Sequence, residues 1–238
     1  MARGRTLLSL LDDLRSECRL STNPAHNAQQ RESQVRLLQR MQDWLYEDFP
    51  WPHLRVERQI VLQAGQRYYD LPDDIAMERI AHLEVRYAAR WCPLESGIDP
   101  VQFAAIDSDG GQTGWPVRRW RIWEDDRIEV WPVPDQNGDA AALEGVAKVV
   151  GTRNLWPLVD DDHVCDLDDR MIVLYAAAEL LAAAGGKDAK LKLDQATRRY
   201  DTLRGELTPR RRVGLFREQH SRSILRGMPS IDYRPANK

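Results

Sequence analysis

The feature that most constrains this chain is an interruption. A helical pattern runs into Phe49-Pro50-Trp51-Pro52 and stops; from Leu54 apolar residues recur at every second position, and helical spacing returns only near residue 167. Proline lacks an amide donor and restricts the residue before it, so two prolines around one tryptophan end a helix and keep it from resuming. The chain therefore reads as helical pieces at both ends of a β-patterned block of about a hundred residues.

Four helices are predicted. In residues 6–20, Leu7, Leu11, Leu14 and Cys18 form one stripe, ended by the break at 21–26. In residues 28–48 the stripe is Val35, Leu38, Met41 and Leu45, widened by Leu37 and Trp44. Leu167, Met171, Leu174, Ala178 and Leu181 repeat at steps of four and three up to Gly185-Gly186. Ala189, Leu193, Ala196, Tyr200, Leu203 and Leu207 continue that spacing to Pro209. Helices with a single apolar stripe are not stable alone. The simplest burial is an α+β chain with three parts. A four-helix bundle would use residues 1–53 and 157–207, a β-rich domain at 54–156 would be inserted between its second and third helices, and an extended basic C-terminal tail would occupy 208–238.

Within the β-block, Val56, Arg58, Ile60 and Leu62 alternate with their neighbours, Ala64-Gly65-Gln66 is a turn, and Arg67 to Pro72 starts a return strand. A strand pair is expected in 79–95, a short helix from about Asp99, a loop at 108–116 and a last strand at 143–153. The hairpin at 116–132 can be read for register. A three-residue loop, Glu124-Asp125-Asp126, pairs Ile122 with Ile128, Trp120 with Val130 and Arg121 with Glu129. A two-residue loop would pair Ile122 with Glu129 and bury a charge, so the three-residue loop is expected, with Trp120, Ile122, Ile128 and Val130 on the core face.

Several function classes are excluded by what the residues lack. The apolar start is broken by Asp12 and Asp13 too early for a secretory leader, and no apolar run approaches membrane-spanning length. Cys18, Cys92 and Cys165 are odd in number and far apart, as expected of reduced thiols. HExxH, G-x-S-x-G and paired CxxC are absent, and Gly110-Gly111-Gln112-Thr113-Gly114 lacks the Lys-Ser/Thr of a phosphate loop. His163 and Cys165 follow Asp160 to Asp162, but a metal site needs more soft ligands at metal spacing. These carboxylates read instead as the start of a helix, with Asp166 as cap and Asp168 and Asp169 in the first turn. Neither catalytic residue, metal nor cofactor is expected.

Two segments bear on partners. Arg118 to Trp123 (RRWRIW) mixes bases with aromatics, as single-strand binders do, yet alternation puts Trp120 and Ile122 on one face and Arg119 and Arg121 on the other. The tail, 208–238, carries +6 in a chain of −3 overall, leaving −9 on the body. Its bases Arg210, Arg211, Arg212, Arg217, Arg222 and Arg226 alternate with apolar anchors Phe216, Ile224, Leu225, Met228, Ile231 and Tyr233. A segment without a long period but rich in anchors is expected to order against a protein groove. The small-residue run that includes Ala177 and Ala184 permits close helix approach, inside the helical domain or between subunits.

The order of blocks resembles podovirus-type phage head-to-tail adaptors, also called head-tail connectors or tail tubular protein A-like proteins. The resemblance rests on a helix ending in the aromatic segment Trp44 to Trp51, the G-x-x-x-Y turn Gly65 to Tyr69, and Leu71-Pro72-Asp73-Asp74. The strand end Trp131-Pro132-Val133-Pro134, the acidic approach to an Ala-rich helix at 175–184, and a charged fourth helix complete it. It covers residues 28–207; the first helix and the tail sequence lie outside it. The resemblance implies a virion protein of the neck, made in the host cytoplasm. It would form a ring, generally twelvefold, beneath the portal protein, extend the DNA channel and offer a platform to the next tail component, a nozzle or tail tube. DNA would pass without sequence-specific binding, no membrane would be involved, and the tail would clamp the portal. A tail-completion or stopper protein, or a nucleic-acid-binding module using RRWRIW and the tail, are the alternatives.

Overall fold

A computed structural model of the chain describes residues 3–23, 26 and 29–208 and the backbone of 232–234. It divides into two compact units, one holding the residues up to Pro52 and from Leu155, the other holding His53–Asn154.

In the helical unit, α1 (Leu7–Glu17) starts at Thr6, whose side chain accepts from the Ser9 amide. It buries Leu7, Leu10, Leu11 and Leu14 completely. Helix α2 (Arg31–Asp48) ends at the Pro-Trp-Pro break. The indole of Trp51 folds back there, buried, and donates from Nε1 to the Leu45 carbonyl at 2.8 Å. That bond satisfies a carbonyl left open by the helix end, which is why a tryptophan sits between the prolines. Helices α4 (Asp169–Ala183) and α5 (Ala189–Leu207) are joined by a turn in which Gly185 has φ +68.

The expected four-helix bundle does not form. Residues Met171 to Ala178 of α4 are all buried, so this helix has no solvent face along its first half. It is a central helix against which α1, α2 and α5 each pack, while α5 makes no more than marginal contact with α1 or α2. A bundle needs four single-striped helices facing one shared core. Here α4 is apolar on all sides from Met171 to Ala178, and three amphipathic helices cover that stretch. The expected α5 stripe is correspondingly narrower: Ala196, Tyr200 and Leu203 are buried, but Leu193 is exposed.

The second unit contains α3 (Pro100–Ala105) and eight strands: β1 (Arg55–Val61), β2 (Tyr68–Asp70), β3 (Ile75–Tyr87), β4 (Arg90–Ser96), β5 (Thr113–Trp115), β6 (Arg119–Trp123), β7 (Arg127–Trp131) and β8 (Val146–Arg153). Seven make one curled, mixed sheet in the order β1-β8-β3-β4-β6-β7-β2, with β4 and β6 parallel and the other pairs antiparallel. The hairpin expected between β1 and β2 is absent: these strands pair with β8 and β7 and occupy opposite edges. The β3–β4 hairpin is present, as is the β6–β7 register with a three-residue loop, Ile122↔Ile128, Trp120↔Val130 and Arg121↔Glu129. The faces differ from expectation at two places. Ile122 is exposed, and Glu129, expected on the solvated face, is 1 % exposed. A further strand, β9 (Asp232–Arg234), pairs antiparallel with β5.

Candidate functional site

The acidic loop before α4 is the place where metal chemistry could have been built. Asp160, Asp162 and His163 bring ligand atoms within 4.8 Å of one another. The imidazole is already engaged, however. Its Nδ1 accepts from the amides of Val159 and Asp160, each at 3.1 Å, and Nε2 lies 3.3 Å from Asp160 Oδ2. The loop also receives the start of α1: the Leu7 amide donates to the His163 carbonyl at 2.8 Å and the Leu8 amide to the Asp161 carbonyl at 3.2 Å. Cys165 points inward; its thiol bonds Gln42 Oε1 at 3.2 Å, and burial pushes it up to about 12. A thiol held protonated is neither nucleophile nor ligand. The cluster closes open amides at a helix start.

Asp168, not Asp166, caps α4. Its Oδ1 accepts from the Met171 amide at 3.1 Å, and Arg199 of α5 donates to Oδ2 at 2.7 Å. Asp166 instead accepts from the Trp156 amide at 2.8 Å. Asp169 is 2 % exposed, and neither carboxylate oxygen has a well-formed hydrogen bond; the Arg5 backbone amide is the donor that approaches it. Burial, then the neighbouring carboxylates of Asp168 and Asp13, raise its pKa to about 6, against the pull of Arg5. A carboxyl with a raised folded-state pKa binds its proton in the folded state before the unfolded one. Its penalty is fully present above pH 6 and disappears as pH falls below the unfolded value. Asp169→Asn is therefore expected to stabilise the helical unit at pH 7.5, on the order of 2 kcal/mol, and to have little effect at pH 4. Urea titrations followed by circular dichroism at both pH values check this; an equal effect at both would sink it.

The bases of RRWRIW are committed within the chain. Arg119 pairs with Glu95, and Arg121 with the buried Glu129. Arg67 Nε reaches the other oxygen of Glu129 at 2.7 Å. Both guanidiniums lie beside the Phe103 ring, 5.4 Å from its centroid for Arg67 and 5.9 Å for Arg121, and Arg121 lies 4.4 Å from the Trp123 centroid. Trp120 is in the core. A single-strand site needs open aromatic faces and free cations, and this segment spends both on internal structure.

Of the tail residues, Arg210, Arg211, Arg212, Phe216, Arg217, Arg222, Ile224, Leu225, Arg226, Met228 and Ile231 lie outside the described residues. Tyr233 is in β9, paired with Gly114. Ala177 is fully buried, with its carbonyl 3.9 Å from Cys18 Sγ, and Ala184 is exposed at the end of α4.

An apolar surface remains open on the helical unit. Where α5 fails to meet α2, a groove of about 520 Å³ runs over Ala178 and Ala182, walled by Met41, Trp44 and Leu193 and by Tyr175. Trp44 is 45 % exposed and meets the Tyr175 ring edge-on at 5.4 Å between centroids. Elsewhere on the unit Leu8, Trp156, Val159 and Val164 are exposed, and Trp156 and Val164 line a second, more polar concavity with Pro157, Asp162, His163 and Asp166.

With both units described, residues 5–222 match the SU10 adaptor protein family. The chain belongs to that family. No curated protein matches it. Members are phage head-to-tail adaptors, so the chain is a structural, virion-associated component that interacts with other head and tail parts.

The motifs behind the resemblance serve structure in this adaptor. Gly65 occupies φ +76 in the turn after β1, a conformation that favours glycine. The hydroxyl of Tyr69 accepts from the Gln63 amide at 2.9 Å and closes the same turn. Asp74 of Leu71-Pro72-Asp73-Asp74 holds Arg58. Trp131 donates from Nε1 to the Ile106 carbonyl at 3.1 Å. What the sequence reading missed is the open apolar groove. Trp44 and Leu193 sit on helical stripes and were counted as core; only the depth of the α2–α5 gap exposes them. The surplus of tryptophan, eight in all, was the available signal, since half-exposed tryptophans concentrate at interfaces.

Proposed function

We propose that this adaptor forms a ring beneath the portal vertex, in the twelvefold podovirus-type arrangement. The ring extends the DNA channel and presents a platform to the next tail component, and the C-terminal tail binds the portal. The observation that carries this reading is the family match across residues 5–222, which spans both units. Charge supports it. The body is acidic and the tail carries +6, so a lumen formed by the body would repel phosphate and let DNA slide. The pairing of Arg119 and Arg121 within the sheet fits the same picture.

The tail is the recognition element. Ordering a chain costs about 1–2 kcal/mol per fixed residue, more than screened charges return. Burial of Phe216, Ile224, Leu225, Met228, Ile231 and Tyr233, at roughly 1.5–3 kcal/mol each, supplies the offset, while the arginines steer the encounter. Truncation after Thr208 is expected to leave a folded body that no longer joins portal-bearing heads. Alanine at Ile224, Leu225 and Met228 should abolish stable docking at any salt concentration, whereas glutamine at Arg210, Arg211 and Arg212 should slow association mainly at low salt. Co-sedimentation with purified heads measures all three. Assembly of the truncated chain at the wild-type level would remove the tail from the recognition step.

A further inference from the structure

We infer that the edge of β5 is a docking strand for the chain's own C-terminal segment, and that β9 leaves it when the tail takes hold of the portal. The β5–β9 pairing is then a latch that holds back the last anchors of the tail until assembly. This deepens the reading of the tail as the portal-binding element and rests on it.

The backbone of β5 is the first support. On one side the Gly114 amide donates to the Val133 carbonyl at 2.9 Å, and Thr113 bridges Val133 in parallel. Backbone groups of successive strand residues point to opposite sides, so those of Thr113 and Trp115 face away from Val133. On that other side lies β9, outside the seven-stranded sheet. The register is Thr113↔Arg234, Gly114↔Tyr233 and Trp115↔Asp232. Its outer pairs are therefore the hydrogen-bonded ones, and Gly114↔Tyr233 is the narrow pair between them. A glycine opposite an aromatic residue is a favoured pairing at a sheet edge. Without β9, the amides and carbonyls of Thr113 and Trp115 would form an open edge, the kind of surface that accepts an extended segment by strand addition.

The second support is that the segment has two uses that exclude each other. Tyr233 belongs to the anchors that offset the ordering of the tail on the portal, and in β9 it is paired with Gly114 instead. Its release needs no movement of α5. Residues 209–231 separate Thr208 from β9, and a chain of that length spans up to about 80 Å when extended. The latch is also weak enough to open. Two hydrogen-bonded pairs return a modest net free energy against the entropy of ordering the strand, so a partner that buries several apolar anchors displaces β9. Until then the docked segment covers an edge that would otherwise pair with other chains. By linkage, whatever strengthens β9 on β5 weakens portal binding by the same factor.

The test uses the full chain. Asp232→Pro combined with Arg234→Pro removes the two tail amides that the register directs at β5 and keeps every anchor. Thr113→Pro removes a donor from the other partner and leaves the tail untouched. Hydrogen exchange at the Trp115 amide and the rate of joining purified portal-bearing heads are measured for each. In the wild type the Trp115 amide is expected to be protected at every protein concentration, because the strand comes from the same chain. Both variants should exchange there at least ~10-fold faster and join heads about 3- to 10-fold faster, the gain expected when most of the population is held docked. The tail variant changes nothing in the body, so its result stands even if Thr113→Pro folds poorly. Unchanged exchange in the tail variant, or faster exchange without faster joining, overturns the latch. Protection that arises only as copies associate assigns the strand to a neighbour and overturns it too. Truncation after Thr208 tests the underlying reading separately. If that chain joins heads as the wild type does, the tail reading fails and the latch with it. If it does not join, while the proline variants join at the wild-type rate, the tail reading stands and the latch alone falls.

Discussion

Ala177→Glu is expected to unfold the helical unit, while Ala184→Glu leaves it intact. The two alanines lie seven residues apart, two turns on an ideal helix, and would pass for equivalent positions on one stripe. Their surroundings differ completely. Ala177 is 0 % exposed, and α1 lies close enough for Cys18 Sγ to approach its carbonyl at 3.9 Å. A glutamate there must first displace packed neighbours, since a close-packed interior leaves no room for four further heavy atoms. It must also place a carboxylate in buried, largely apolar surroundings. Either effect costs a few kcal/mol; together they are expected to exceed about 4 kcal/mol, a large part of the stability of a unit this size. Ala184 is exposed at the helix end, and substitution there is expected to stay within about 0.5 kcal/mol. Thermal melts at 222 nm separate the two. If Ala177→Glu melts with the wild type, α4 is not the central helix.

That contrast shows what was legible in the sequence and what was not. The ends of elements were, because they are set by local chemistry. Pro50 and Pro52 stop α2, Gly185-Gly186 closes α4, and the Glu124-Asp125-Asp126 loop fixes the register of β6 and β7. Which helix sits in the middle was not. Spacing at four and three residues picks one stripe on α4, yet between Met171 and Ala178 the other positions, Ile172, Val173, Tyr175, Ala176 and Ala177, are all buried as well. Alanine is small enough to be read as either inside or outside, so the pattern hid an all-round apolar helix behind a single stripe. Strand order escaped for a different reason. Pairing β1 with β8 and β2 with β7 joins segments far apart in the chain, and local alternation carries no information about distant partners. The adaptor motifs were readable as an order of blocks. The groove was not, because it depends on where α5 fails to reach α2.

The same limit applies to Glu129, whose removal is expected to be the most damaging single change in the sheet unit. Alternation places it opposite Arg121 on a face that looked solvated, but Arg67, from the segment before β2, arrives on the other side and closes over it. Both carboxylate oxygens are then taken, one by each guanidinium. A buried pair of this kind adds little net stability when intact, because desolvation offsets most of the attraction. Breaking it is another matter. Glu129→Ala leaves two guanidiniums, 17 % and 29 % exposed, without the anion between them; Arg67 keeps its second partner, Asp109, and Arg121 is the cation left stranded. Truncation of one partner of a buried pair costs about 3–5 kcal/mol; the residual exposure of the arginines allows some rehydration and puts the expected loss near the lower end, about 3 kcal/mol. Glu129→Gln keeps the shape and one acceptor and should cost clearly less. The sharper expectation is in combination. Arg121→Ala in the Glu129→Ala background removes one stranded cation, so the double variant should be no less stable than Glu129→Ala alone. Simple addition of the two single losses would make it the worst of the three. Denaturant titrations of the full chain, read by tryptophan fluorescence, give the cycle, and strict additivity would mean that Glu129 does not hold the two arginines together.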